Sequence, residues 1–209
     1  MLIDLHVHCR PFTKSALSMP RETIEHAKKR GIEGLSLVSK GYIESRRAHQ
    51  DAVEMFGGYG VRLFPGAEIE TTRGPLLVYG SLVDHDLRFD GPVEVLSLID
   101  WVHENGGAVV VPYLLDGVRG DLLTEVVEGG LWDWWVRVAD CLELTFGDDR
   151  GNDDLAMKIG HRLDKRIIFG SDAHYSGRVG RNTKHGMWAT SAPYVESVDE
   201  LVGWLRCNE

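Results

Sequence analysis

The segment "DLHVHC" sets His6 and His8 two residues apart, just behind an acid, Asp4. Alternate residues of an extended strand project from one face, so both imidazoles would point the same way. Far along the chain, "GSDAH" gives Asp172 and His174 the same spacing, directly after the apolar run "RIIF". Between these ends, "GAEIE" offers Glu68 and Glu70, and "CLEL" offers Glu143. Two imidazoles with two carboxylates suit a borderline divalent cation such as zinc, manganese, iron or nickel. Such an ion brings the pKa of bound water toward neutrality and so supplies a nucleophile. Each pair alone is weak evidence: a His-x-His can arise by chance, and Asp172 with His174 could cap a loop. What favours a metal is that both pairs fall at the ends of strands.

The elements that would position these residues alternate. Short apolar runs read as strands: "LIDLHV", "GLSLV", "VRLFPG", "PLLVYG", "GAVVVPY", "DCLELTF" and "RIIFGS". Amphipathic helical stretches separate many of them. "PRETIEHAKKRG" runs from Pro20 to Gly31 with a start and a stop signal. "YIESRRAHQDAVEMFGG", "PVEVLSLIDWVHENGG", "DDLAMKIGHRLDK" and "SVDELVGWLRC" read as further helices. The pattern predicts an α/β fold with a largely parallel sheet. One departure is "FPGAEIETTRGPLLVYG", which reads as two strands joined by a turn with no helix between. In parallel α/β folds chemistry gathers at the carboxyl ends of strands. That places Asp4, His6, His8, Ser39, Lys40, Glu68, Glu70, Tyr113, Glu143, Asp172 and His174 near one another.

Composition narrows the classes. The chain has 209 residues, 43% hydrophobic and 26% charged, and a net charge of -9. This fits one soluble domain spanning 1–209 and gives no extended basic surface for nucleic acid. Its three cysteines, Cys9, Cys141 and Cys207, form no CxxC pair, which points to a reducing, cytoplasmic setting. No signal-like run is visible, and no segment approaches the roughly 20 apolar residues a membrane span needs.

"DLHVHC", "PGAEIETTRGPLLVYG" and "FGSDAH" with "VGRNT" resemble the polymerase and histidinol phosphatase (PHP) superfamily, in the family's order and over nearly the whole chain. The resemblance implies a distorted TIM-like (β/α)7 barrel and phosphoesterase chemistry with up to three metals. It carries over a complete site made of His6, His8, Glu68 and Asp172, a second-metal histidine as His174, and an acid on the sixth strand as Glu143. Three positions depart from it. Lys40 in "LVSKG" stands where the family has a histidine, and Thr13 and Lys14 stand near a family Asp or His. In "VVVPYLLDG", Tyr113 (or Pro112) takes the place of another histidine. One metal at His6, His8, Glu68 and Asp172 is therefore expected. A second could use Glu68, Glu143 or His174. An ammonium at Lys40 can supply positive charge to a phosphate oxygen, or it can fill a degenerate site.

The expected activity is hydrolysis of a phosphoester on a small phosphorylated molecule or nucleotide. His174 would be the second-metal ligand or the acid–base group, and Asp4 would orient a ligand histidine. Arg181, Arg178 and Tyr113 would bind substrate, with Arg10 and Lys14 near the mouth. Arg46 and Arg47 read as solvent-facing, His185 as a surface residue, and Trp132, Trp134 and Trp135 as core or subunit contacts. Two other classes stay open: an amidohydrolase or TatD-type nuclease, and a metal-binding barrel kept as a scaffold or regulator. Oligomeric state is open as well, with a homo-oligomer among the alternatives.

Overall fold

The computed structural model describes residues 1–80, 83–112, 134–145, 153–182, 186–187 and 189–207. The chain begins with β1 (Leu2–Val7), α1 (Pro20–Lys29), β2 (Gly34–Leu37), β3 (Ser39–Lys40), β4 (Tyr42–Ile43) and α2 (Arg46–Phe56). It continues through β5 (Arg62–Phe64), β6 (Gly66–Thr71), β7 (Gly74–Tyr79), β8 (Leu87–Arg88), α3 (Val95–Glu104) and β9 (Ala108–Val111). Then come α4 (Trp134–Val138), β10 (Cys141–Thr145), α5 (Asp153–Leu163) and β11 (Arg166–Gly170). β12 (Arg181–Asn182), β13 (Gly186–Met187), β14 (Thr190–Ser191) and α6 (Val198–Arg206) complete it.

Local signals explain the helix ends. α1 starts at Pro20, whose fixed φ suits a first helical position, and the chain leaves it through Gly31 at φ +73°. α2 is capped by the Ser45 hydroxyl, which accepts from Ala48 N. α6 opens with Ser197 and Glu200 capping each other's backbone N–H groups. The expected hairpin is present: β6 and β7 pair antiparallel from Gly66↔Tyr79 to Thr71↔Gly74.

The strands divide into two main sheets, ordered β14-β1-β2-β5 and β11-β10-β9-β7-β6-β3. The pairs β1–β2, β2–β5, β3–β6, β9–β10 and β10–β11 are parallel. The sheet is thus largely parallel, as the alternation of strands and helices predicts. A closed seven-stranded barrel is not what the described ladders show. The β6–β7 hairpin replaces one strand–helix unit, and the β1–β2 register slips between Asp4 and Val7. The two sheets meet at seams instead. Val38 N donates to Val7 O where β2 runs on toward β3, and His8 N donates to Ala173 O beyond β11.

One face of β1 is apolar. Ile3 and Leu5 pack with Leu201, Val202 and Leu205 of α6, and Val7 packs with Ile24 and Ala27 of α1. The alternate positions Asp4, His6 and His8 are buried on the other face. Apolar packing on both sheets thus fixes the polar face of β1 in place. No described helix is long and apolar enough to cross a membrane.

Candidate metal centre

Four side chains converge above β1. His6 comes from within β1 and His8 from just past its end; Glu68 is on β6, and Asp172 follows β11. The Nε2 atoms of His6 and His8 are 3.2 Å apart. His8 Nε2 lies 3.1 Å from Glu68 Oε2 and 3.3 Å from Asp172 Oδ1. His6 Nε2 lies 3.5 Å from Asp172 Oδ1 and 4.0 Å from Glu68 Oε2. A cation bonded tetrahedrally at about 2.0–2.2 Å spaces its ligand atoms about 3.3–3.6 Å apart. The five distances that involve a histidine nitrogen bracket that range, and His6, His8 and Glu68 form one potential ligand group by themselves.

The protons on the rings sharpen the point. His6 Nδ1 faces Glu143 Oε1 at 2.7 Å, an acceptor, so it carries the proton. His8 Nδ1 faces the Thr13 hydroxyl at 3.0 Å and Val38 O at 3.3 Å, and that hydroxyl itself donates to Val38 O. In their neutral forms both rings therefore turn an Nε2 lone pair toward the other and toward two carboxylates. Glu68 Oε2 and Asp172 Oδ1 are buried, and among the described residues only histidine nitrogens approach them, with no well-formed hydrogen bond. Acceptors crowded in this way need a cation or extra protons between them. Burial opposes charge on both rings, yet the carboxylates override it: His6 is pushed up to about 9, and His8 is raised too. Burial likewise opposes charge on Glu68 and Asp172, but His8 holds both down to about 2, with Lys40 helping at Glu68. The cluster attracts positive charge, and its donor set fits a divalent first-row cation.

Glu143 stands behind His6. It faces the ring nitrogen that points away from the cluster, in the manner of a carboxylate that orients a metal-binding imidazole. Gly170 makes room for it. A Cβ there would lie 2.6 Å from Glu143 Cδ and 2.8 Å from His6 Cβ. Lys40 pairs in register with Glu68 across β3 and β6, and its Nζ donates to Glu68 Oε1 at 2.9 Å. One carboxylate thus offers one oxygen to an ammonium and the other to the cluster.

Asp172 has a left-handed backbone at φ +45°, a strained conformation for a residue other than glycine. Its neighbours hold it there. Ser171 N donates to Asp4 Oδ1 at 3.1 Å, and Ala173 O accepts from His8 N. Asp4 also accepts from Gly180 N at 2.8 Å, and its burial pushes its carboxyl up to about 6. The expectation that Asp4 orients a histidine ring is therefore corrected: its carboxylate binds backbone N–H groups that shape the turn after β11. Arg30 braces the same turn, donating to Gly177 O at 2.8 Å and to Val179 O.

His174 is half-buried beside the cluster, its ring centroid 4.5 Å from that of His8. His174 Nδ1 bonds Asp172 O at 3.1 Å, which leaves Nε2 as the other ring nitrogen. His8, Asp172 and His174 together form a second potential ligand group, but it shares His8 with the first. Arg178 is exposed and lies 5.5 Å over the Tyr175 ring. Arg181 belongs to β12, which pairs with β13. Arg46 and Arg47 are exposed on α2, as the sequence suggests. Tyr113, His185 and Trp132 lie outside the described residues. The sequence placed Thr13 near a departed ligand position but not as the partner of His8, and it missed Arg30, which acts on the turn after β11 through tertiary contacts rather than through a motif.

No protein-family model matches the chain, and a search of the curated proteins returns no match either. Solved structures do share its fold, among them the following three. A protein assigned as a metal-dependent phosphoesterase from Bifidobacterium adolescentis aligns at TM-score 0.60 and 15% identity, over 88% of this chain and 92% of the other. A two-domain protein from Bacteroides vulgatus, assigned a PHP-like metal-dependent phosphoesterase domain, aligns at TM-score 0.55 and 16% identity. That alignment covers 84% of this chain and 52% of the other. An amidohydrolase from Chromobacterium violaceum, with bound sulfate and no metal, aligns at TM-score 0.62 and 14% identity. It covers 91% of this chain and 92% of the other.

Proposed function

We propose that this chain, which has the fold of PHP-like metal-dependent phosphoesterases, hydrolyses a phosphoester of a small phosphorylated molecule or nucleotide. The observation that carries the reading is the meeting of His6 Nε2, His8 Nε2, Glu68 Oε2 and Asp172 Oδ1, with both Nδ1 atoms already committed. These four residues would hold one divalent ion. Bound there, zinc, manganese, iron or nickel supplies Lewis acidity and brings the pKa of water toward neutrality. Glu143 and Thr13 fix the two imidazoles so that little reorganisation accompanies binding.

The net reaction adds water across the ester. A water oxygen bonds to phosphorus, the P–O bond to the leaving group breaks, and one water proton ends on the leaving oxygen. His174 Nε2 is our candidate to take up a water proton and pass it to that oxygen, since Nδ1 is tied to Asp172 O. Lys40 offers a half-exposed ammonium beside Glu68 for a phosphoryl oxygen. Arg10, Lys14, Lys40 and Arg178 are all exposed on the segments around the centre, in a protein whose net charge is -9. These exposed cations suit an anionic substrate. Arg181 and Tyr113 are further candidates for its phosphate.

The test is phosphate release from a panel of phosphomonoesters by chelator-stripped and metal-reloaded protein. Release should return with metal and vanish in His8→Ala. No release from any ester at any metal loading overturns the reading.

A further inference from the structure

Three of the largest exposed apolar side chains gather on two short segments beside His174. Leu17 is 73% exposed, Met19 52% and Tyr175 42%. Leu17 is the most exposed large apolar residue among those described. The two segments are stitched together: Leu17 N donates to His174 O at 2.8 Å, and Ser176 N donates to Ser18 Oγ at 2.8 Å. The loop that carries Leu17 also reaches the other side of the centre. Thr13 bonds His8, and Lys40 N donates to Phe12 O at 3.3 Å. The loop therefore rims the centre from Lys40 to His174, charged at one end and apolar at the other.

The lip is built rather than loose. Arg10 N donates to Ser18 O at 2.9 Å, Arg10 Nε donates to Ala16 O at 2.9 Å, and Arg30 and Asp4 hold the 177–180 turn. The hydrogen bonds between the two segments bring these three exposed apolar residues to one lip beside His174, where an apolar group of a ligand held at the centre would meet them. Arg178 over Tyr175 joins a guanidinium to an aromatic face at this same lip.

We infer that the lip of Leu17, Met19 and Tyr175 receives an apolar or aromatic group of the ester, while Lys40 and the metal centre take its phosphate. The substrate class is thus a phosphomonoester with a ring or hydrocarbon portion close to the phosphate, in preference to a polyol phosphate. The inference rests on the phosphoesterase reading, and the experiment separates the two.

The probes are 1-naphthyl phosphate and glycerol 2-phosphate, with phenylphosphonate and methylphosphonate as unreactive partners, all on metal-loaded protein. The intrinsic reactivity of the two esters cancels when their kcat/KM ratio is compared between wild type and variant. Leu17→Ser, and Tyr175→Ser separately, should lower the naphthyl-over-glycerol ratio about tenfold, equivalent to ~1.4 kcal/mol. Met55→Ser, on a methionine of α2 about as exposed as Leu17, should leave the ratio unchanged. By calorimetry, wild type should bind phenylphosphonate about tenfold tighter than methylphosphonate, and Leu17→Ser should erase that gap. If both esters turn over but the ratio and the gap are the same in all variants, the lip plays no part and the inference falls alone. If neither ester turns over and neither phosphonate binds, the phosphoesterase reading falls and takes this one with it.

Discussion

Glu143→Gln isolates the group behind His6. The Glu143 Oε1 to His6 Nδ1 contact is 2.7 Å, and neither side chain is exposed to solvent. Glutamine keeps the shape, and its amide oxygen can still accept from Nδ1, so no cavity opens. What is lost is the charge. A hydrogen bond to an ionised acceptor is roughly twice as strong as a neutral one, a difference of about 1 kcal/mol. The carboxylate also raises the basicity of the opposite nitrogen, and losing such a partner costs about 10–100-fold in metal affinity. Were Glu143 itself a ligand, removing one of four bonds from a site worth about 12 kcal/mol would cost about 3 kcal/mol or more. The assay is competition for zinc against a chelator of known affinity, run above pH 9 because the carboxylates hold the His6 imidazole up to about 9 and a proton there competes. A loss of about 10–100-fold supports an orienting role. Unchanged affinity in a folded variant refutes the reasoning.

Lys40→Met should raise KM for a phosphomonoester about tenfold, because it removes the ammonium that stands beside Glu68 for a phosphoryl oxygen; steady-state kinetics at saturating metal reads this, and an unchanged KM would contradict it. Gly170→Ala should destabilise the protein by about 3 kcal/mol in urea unfolding, since a Cβ meets Glu143 and the backbone side of His6; a change under about 0.5 kcal/mol would contradict it. Glu44 is pushed up to about 7 by burial, with Asp86 adding to the effect. A carboxyl whose folded pKa exceeds its unfolded value costs stability as pH rises from about 4.5 to about 7 and no further beyond. Glu44→Gln should therefore gain about 2 kcal/mol over wild type at pH 8 and much less at pH 5, and parallel urea midpoints at the two values would contradict it.

The histidine pair shows what spacing can reveal. His6 and His8 had to share a face of any strand, and the apolar positions between them made the strand. Glu68 and Asp172 followed because both end apolar runs. The hairpin was legible as well, since no helical stretch separates β6 from β7. The second layer was not. Thr13 reaches His8 only because the loop after β1 turns back on itself, a tertiary event with no local pattern. Asp4 has the period of a strand residue facing its neighbours' rings, yet its partners are backbone N–H groups at Ser171 and Gly180, more than a hundred and sixty positions away. Lys40 and Glu68 meet through the register of β3 on β6, which a sequence does not state. Barrel closure depends on ladder hydrogen bonds at the seams, and the register slip in β1 is equally invisible in composition or period.

The account rests on His6, His8, Glu68 and Asp172 holding a single divalent ion. The most direct test is metal content per folded chain, by elemental mass spectrometry after reconstitution and desalting, for wild type and His8→Ala with circular dichroism confirming both folds. The account predicts about one ion per wild-type chain and a loss of nearly all of it in His8→Ala, because His8 Nε2 lies within 3.3 Å of three of the converging atoms. A wild type that retains no metal, or a His8→Ala protein that retains as much as wild type, would contradict it.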